Sequence, residues 1–221
     1  SSLLLVGDKD QLPPVGCGLP FKDIIESLKI PFVTLKTLYR QASKSQINKN
    51  ANLILSGCTT FGKEGLSFNP SFQDFFYFET YDKNMQKSLI LNAIDQLLKI
   101  GASIEDIMVL TPVTKGELGV EELNKMIQNY INPEHPSKQK YTSSSFELRE
   151  NDRIMQSVNN YEKNVFNGDI GVIKSINHKK EEIIVSFDET ELSIGTVIHK
   201  KRDVTYSFSE AREITLAYSI T

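Results

Sequence analysis

The stretch Asp152-Arg153-Ile154-Met155-Gln156-Ser157-Val158-Asn159-Asn160-Tyr161-Glu162-Lys163-Asn164-Val165-Phe166-Asn167-Gly168-Asp169-Ile170-Gly171 places two short apolar runs on either side of an asparagine-rich turn. Residues 153–158 read as one strand, 169–176 as the next and 182–187 as a third. All are short, rich in β-branched residues and separated by turn residues, the pattern of a small antiparallel barrel or sandwich. Asn167-Gly168 permits the positive φ of a tight turn, and the bland reading of Asn159 and Asn160 is that they only satisfy turn backbone groups. Tyr161 or Phe166 can offer a ring face on which a base stacks, while a residue such as Phe166 is more often barrel core than base platform.

Upstream, the pattern is different. Leu3-Leu4-Leu5-Val6 is too short for a helix, is stopped by Gly7, and fits a buried parallel strand. Pro20–Leu28 has Phe21, Ile24, Ile25 and Leu28 at helical spacing. Pro31–Leu35 reads as a second strand. Ser43 or Ser45 can cap a helix that carries Ile47, Ala51, Ile54 and Leu55 and stops at Ser56-Gly57. Residues 59–80 lack a period and suggest a loop with a short strand at 75–78. A helix over 84–100 with its stop at Gly101, a buried-type strand over 106–111 ending at Pro112, and a helix over 120–131 ending at Asn132-Pro133 complete the alternation of an α/β sheet. The Pro-, Ser- and Lys-rich segment 132–145 is the expected domain boundary. The final run, 214–221, is largely apolar with no polar segment trailing it, as in a chain that continues beyond it.

Composition narrows the classes without choosing among them. The 221 residues, 39% of them hydrophobic, suffice for one large or two small domains. No apolar run approaches the ~20 residues that span a bilayer, and the first residues lack a secretory pattern, so a cytoplasmic location and no membrane partner are expected. Cys17, Cys58 and three scattered histidines form neither a disulfide framework nor a zinc site. A net charge of −3, from 25 basic and 28 acidic residues, lacks the strongly basic signature of many nucleic-acid binders. Local motifs therefore carry the functional argument.

Four motifs do so. Gly7-Asp8-x-x-Gln11-Leu12-Pro13-x-Val15-Gly16-x-Gly18 follows a strand end, where ligands of open α/β sheets gather. It resembles motif III of the superfamily 1 helicases in the spelling of the RecD-type branch, the relatives of the exodeoxyribonuclease V alpha subunit. Leu35-Lys36-Thr37-Leu38-Tyr39-Arg40-Gln41-Ala42 resembles motif IV. Val109-Leu110-Thr111-Pro112-Val113-Thr114-Lys115-Gly116 resembles the strand end that faces single-stranded DNA in RecD-type proteins. The 152–171 stretch is the most discriminating, since Asn-Asn-Tyr followed by Phe-Asn-Gly-Asp-x-Gly typifies that branch and weighs against conjugative relaxase-helicases. Ala217-Tyr218-Ser219-Ile220-Thr221 resembles the opening of motif V.

The resemblance implies an α/β, RecA-like (P-loop NTPase-type) second motor domain with an inserted small SH3-like β-barrel. On that reading residues 1–30 are the tail of the first RecA-like domain, 31–144 plus 206–221 the second, and 146–205 the barrel. It implies a parent that uses ATP and Mg2+ and moves 5′ to 3′ on single-stranded DNA in recombination and repair, with or without nuclease and helicase partner subunits of an exodeoxyribonuclease V complex. Gln11 and Arg40 are the implied catalytic phosphate sensors, joined by Tyr39 at the nucleotide. Arg40 reaches the terminal phosphate with a planar fork that lysine lacks. Thr111, Pro112, Thr114, Lys115, Asn159, Asn160, Tyr161, Asn167, Gly168 and Thr221 are the implied DNA contacts. No Gly-x-x-x-x-Gly-Lys-Ser/Thr loop occurs. ATPase activity is therefore not expected of these residues by themselves, no tightly bound cofactor is expected, and the loop around Gln11 should be less ordered, or differently docked, than in an intact motor. The alternative reading is a non-enzymatic DNA-binding or assembly module with a helicase-derived fold.

Overall fold

The computed structural model describes residues 3–11, 16–35, 46–57, 74–193 and 196–221. It divides into two compact units, Ser1–Phe78 and Glu79–Thr221.

In the first unit, α1 (Pro20–Glu26) begins with proline at its first turn, where the missing N–H has no intrahelical partner to lose. Its Phe21 ring lies against Gly7, where an added Cβ would come within 3.3 Å of it. The second helix, α2 (Gln46–Leu55), has its first N–H bound by the Asp74 carboxylate at 2.8 Å. The expected caps Ser43 and Ser45 lie outside the described residues. The strands expected at 3–6, 31–35 and 75–78 do not form. Leu3, Val6 and Leu35 are 84%, 86% and 93% exposed. A strand is stable only with neighbours to take its N–H and C=O groups, and the described residues of this unit offer none.

The second unit starts with α3 (Lys83–Lys99), whose first amides at Asn84 and Met85 are capped by the Asp82 carboxylate. A 3-10 turn capped by Ser103 leads to β1 (Val109–Leu110), shorter than the strand expected over 106–111. The helix α4 (Val120–Ile131) matches its expected span and buries Leu123, Asn124, Ile127 and Gln128. Ile94 of α3, Ile127 of α4 and Tyr218 form a small core with Ile90, Leu91, Leu98 and Val109 around them.

The rest of this unit is antiparallel. A hairpin of β2 (Lys140–Thr142) and β3 (Glu147–Arg149) occupies part of the segment expected to be a linker. A five-stranded sheet then joins β4 (Arg153–Gln156), β5 (Ile170–Asn177), β6 (Glu182–Ser193), β7 (Thr196–Ser207) and β8 (Ile214–Leu216), in the order β7-β6-β5-β4-β8. Its core holds Leu148, Ile154, Val165, Ile173, Ile183, Val185, Phe187, Tyr206 and Ile214. The barrel expected here is not closed among the described residues. The strand β8 has only three residues, and the chain then leaves the sheet as β9 (Ser219–Ile220), which pairs in parallel with β1. The strands β7 and β8 thus stay at opposite ends of the order. Tyr206 and Ile214 belong to the sheet core, and the chain rejoins the α/β part only at Tyr218 and β9.

Candidate nucleic-acid interface

Two of the expected contact groups are assembled by the second unit. The first lies at the carboxyl ends of the parallel pair β1 and β9, the end at which open α/β sheets bind ligands. A cleft of about 160 Å³ is lined there by Thr114 and Val120 on one side, Met155, Thr215 and Leu216 from β4 and β8, and Ser219, Ile220 and Thr221 from the last strand. Thr114, Lys115 and Thr221 are exposed. Thr111 is not: it is buried, and its hydroxyl donates to Leu118 O at 2.7 Å, closing the loop that presents Pro112, Thr114 and Lys115. Gly119 must be glycine for the same loop, because an added Cβ would fall 2.6 Å from Thr114 O. Across the loop Glu117 bridges Lys83 and Lys87 of α3, and the Lys83 hydrogen bond holds its carboxyl below the usual range.

The second group is the turn between β4 and β5. Asn159 Oδ1 accepts from Asn167 N at 2.9 Å. Asn160 pairs with Val165 through backbone bonds, accepts from Lys163 N, and donates to the Glu213 carboxylate at 3.0 Å. Both asparagines hold the turn through their side chains. Gly168 has φ +98°, donates to Gln156 O, and closes the turn as its sequence demands. On this scaffold Tyr161 and Phe166 stand edge to face, ring centroids 5.9 Å apart, and remain 77% and 41% exposed. Phe166 is thus outside the sheet core, and the paired rings form an aromatic platform on a locked turn.

Beneath both groups runs a buried polar network without a signal in the motif reading. Asp152, fully buried, accepts from Gln128 Nε2 at 2.6 Å, Asn132 Nδ2 at 2.7 Å, Arg149 N at 2.6 Å and the Tyr218 hydroxyl at 3.0 Å. Burial pushes its carboxyl up, against the four donors that favour the charge. Burial and the Asp152 charge likewise push the Tyr218 phenol up. Asn124 bonds β9 in both senses, donating to Ser219 O and accepting from Ser219 N. Tyr206 donates to Gln156 Oε1 at 2.8 Å, and Gln156 in turn donates to Val158 O at the start of the aromatic turn. The available clue was polar amides at 124, 128 and 132, in register with Leu123 and Ile127 on the apolar face of α4.

The phosphate-sensing group is not assembled among the described residues. Gln11 is exposed and its amide reaches only Asp8, at 3.4 Å, while Tyr39 and Arg40 lie outside the described residues. No group of three or more His, Cys, Asp or Glu able to hold a metal occurs among the described residues. These residues alone do not make a site fitted to magnesium and ATP.

A domain model described as the ATP-dependent RecD-like DNA helicase SH3 domain matches residues 123–187, which include α4, the Asp152 network and the aromatic turn. An AAA domain model matches residues 1–67. The chain is 30% identical over 187 residues to the ATP-dependent RecD2 DNA helicase of Deinococcus radiodurans, covering 84% of this chain and 23% of that protein. It belongs to the RecD-type superfamily 1 helicases. The chain thus spans about a quarter of the length of that relative. Among solved structures, unliganded Pif1 from Bacteroides sp overlaps 55% of this chain and 44% of its own, at 18% identity and a TM-score of 0.32. Bacteroides Pif1 bound to ssDNA overlaps 65% and 40%, at 17% identity and the same score. At such scores the overlap carries no conclusion about this RecD-type chain, whose fold rests on its own strand order. Among its described residues no helix is long and apolar enough to cross a membrane.

Proposed function

We propose that this chain is part of an ATP-dependent RecD-type DNA helicase that moves 5′ to 3′ along single-stranded DNA, acting in the cytoplasm in recombination and repair. In this reading residues 31–144 and 206–221 belong to the second RecA-like motor domain, 146–205 to its inserted SH3-like module, and 1–30 to the tail of the first. The observation that carries the nucleic-acid part is the exposed Tyr161–Phe166 pair, fixed by Asn159, Asn160 and Gly168 within the segment matched by the RecD-like SH3 model. Exposed rings on a preorganised turn suit stacking on successive bases, and Thr114, Lys115 and Thr221 supply hydroxyl and charged groups suited to backbone phosphates. The roles of Gln11, Tyr39 and Arg40 in sensing the terminal phosphate, and the use of Mg2+, belong to the longer protein in this proposal. So does any assembly with nuclease or helicase subunits of an exodeoxyribonuclease V complex.

Fluorescence anisotropy with a labelled oligothymidine tests the DNA part on this chain. Affinity should fall with salt at about 0.7 in log–log slope per neutralised phosphate. Tyr161→Ala should weaken it by about 1–3 kcal/mol, the worth of one stacked base. A folded chain with no affinity at low salt would refute the reading. For the longer protein, DNA-stimulated ATP hydrolysis that survives Arg40→Ala would refute the phosphate-sensor assignment.

A further inference from the structure

The Asp152 carboxylate gathers four separate pieces of chain. Oδ2 accepts from Gln128, on α4, and from the backbone N–H of Arg149, on β3. Oδ1 accepts from Asn132, one residue beyond α4, and from Tyr218, one residue before β9. Asp152 itself immediately precedes β4. None of the four donors is a charged side chain, so the carboxyl group is held by oriented dipoles alone. Such an arrangement costs desolvation that an apolar residue of the same volume would not, while giving directional bonds that an apolar residue cannot. Its donors are themselves tied down. Asn132 also donates to Glu150 O and accepts from Lys138, and the Arg149 guanidinium donates to Asn132 O and Asn129 Oδ1.

The bonds from Gln128, Asn132 and Tyr218 cross one seam, with the five-stranded sheet on one side and α4 with β9 on the other. The cleft at the ends of β1 and β9 is lined from both sides of it, by Met155, Thr215 and Leu216 of the sheet and by Thr114, Val120 and Thr221 opposite. A rotation of the sheet about the seam would change the cleft's width and carry the Tyr161 turn with it. We propose that Asp152 is a positioning residue: it fixes the sheet on α4 and β9 and thereby holds the aromatic turn and the cleft in one register, as a single surface for a nucleic-acid strand. The purpose assigned to the joint rests on the DNA-binding reading above; the joint itself does not.

The test uses this chain with Cys17→Ser and Cys58→Ser, spin-labelled through Lys125→Cys on the outer face of α4 and Glu162→Cys on the aromatic turn, with the distance read by pulsed electron paramagnetic resonance. A single narrow distribution is expected. Asp152→Asn, which turns an amide N–H₂ toward two of the donors, should broaden or displace it while circular dichroism stays unchanged. Tyr218→Phe, which removes one donor and keeps the ring, should broaden it less, and it carries the test if Asp152→Asn fails to fold. The exchange Asp152→Asn with Gln128→Glu should narrow it again. On oligothymidine, Asp152→Asn should weaken binding about tenfold. It should also abolish the non-additivity of Tyr161→Ala with Lys115→Ala that a shared strand imposes on two rigidly linked contacts. An unchanged distribution in the folded Asp152→Asn chain, or in Tyr218→Phe where that variant carries the test, overturns the proposal, and binding by the parent would still stand. Broadening in a chain that binds no oligonucleotide upholds the joint and removes the DNA reading.

Discussion

Gly171→Ala isolates what the second glycine of the Gly168-Asp169-Ile170-Gly171 sequence, already within β5, does. Gly171 pairs with Phe187 across β5 and β6, and a Cβ built on it lies 2.8 Å from Ser186 O, 2.8 Å from Val185 Cγ1 and 2.9 Å from Phe187 Cδ1. All three distances are shorter than real Cβ contacts. Ser186 O belongs to the β6 backbone, while Val185 and Phe187 are core side chains already in van der Waals contact with their neighbours. The strand pair must therefore separate locally, a strain of about 1–3 kcal/mol for one inserted methyl in a close-packed core. Against this, alanine lowers the entropy of the unfolded chain by about 0.4–1 kcal/mol. The net loss should be about 1–2 kcal/mol, read as a lower midpoint in urea at an unchanged slope. Gly168→Ala is the internal control. Nothing lies within 4 Å of its Cβ, so its cost of about 1 kcal/mol comes from φ +98° alone. The two should separate on substitution to serine, whose extra oxygen adds crowding at 171 and none at 168. Gly171→Ala within about 0.5 kcal/mol of the parent would refute the packing argument.

Tyr206→Phe removes the hydroxyl that satisfies the buried Gln156 Oε1 and should destabilise the chain by about 1–3 kcal/mol in urea unfolding, with oligonucleotide affinity falling through the loosened turn. Equal stability would show that Gln156 finds another donor. Asp82→Ala leaves the Asn84 and Met85 amides of α3 uncapped and should cost about 1 kcal/mol, whereas Asp82→Ser should recover most of it. Carboxyl carbon NMR titration should find Asp152 and Glu210 displaced in opposite directions. Burial raises the Asp152 value, so the folded chain binds its proton more tightly than the unfolded one and stability falls as pH rises from the usual aspartate value through the raised one. The Ser207 N–H and Lys163 lower the Glu210 value, so its contribution is complete above the usual glutamate value and is lost as pH falls through the lowered one. Asp152 titrating below the usual aspartate value, or Glu210 above the usual glutamate value, would contradict the environment described for it.

The elements whose signal is local were legible in the sequence. The helix over 120–131 was bounded by its stop at Asn132-Pro133, and the structure keeps that span. The sheet strands followed β-branched alternation around Asn167-Gly168. The short apolar runs 3–6 and 31–35 misled because a run of four or five apolar residues states what could be buried and not what is there to bury it. Phe166 illustrates the same limit from the other side, as a ring with a core-like neighbourhood in sequence that the turn leaves 41% exposed.

The sequence by itself determined the family, the helices over 84–100 and 120–131, the strands over 153–158, 169–176 and 182–187, and the turn chemistry that presents Tyr161, since each depends on residue types at short, fixed spacing. Only the tertiary structure decided that β9 pairs with β1 across more than a hundred residues, that the sheet stays open, and that an aspartate outside the expected contacts is the buried point at which α4, β3, β4 and β9 meet. Strand pairing and burial are set by partners distant in the chain, and a hydrogen bond between Gln128, Asp152 and Tyr218 exists only after packing has excluded the water that would otherwise satisfy all three.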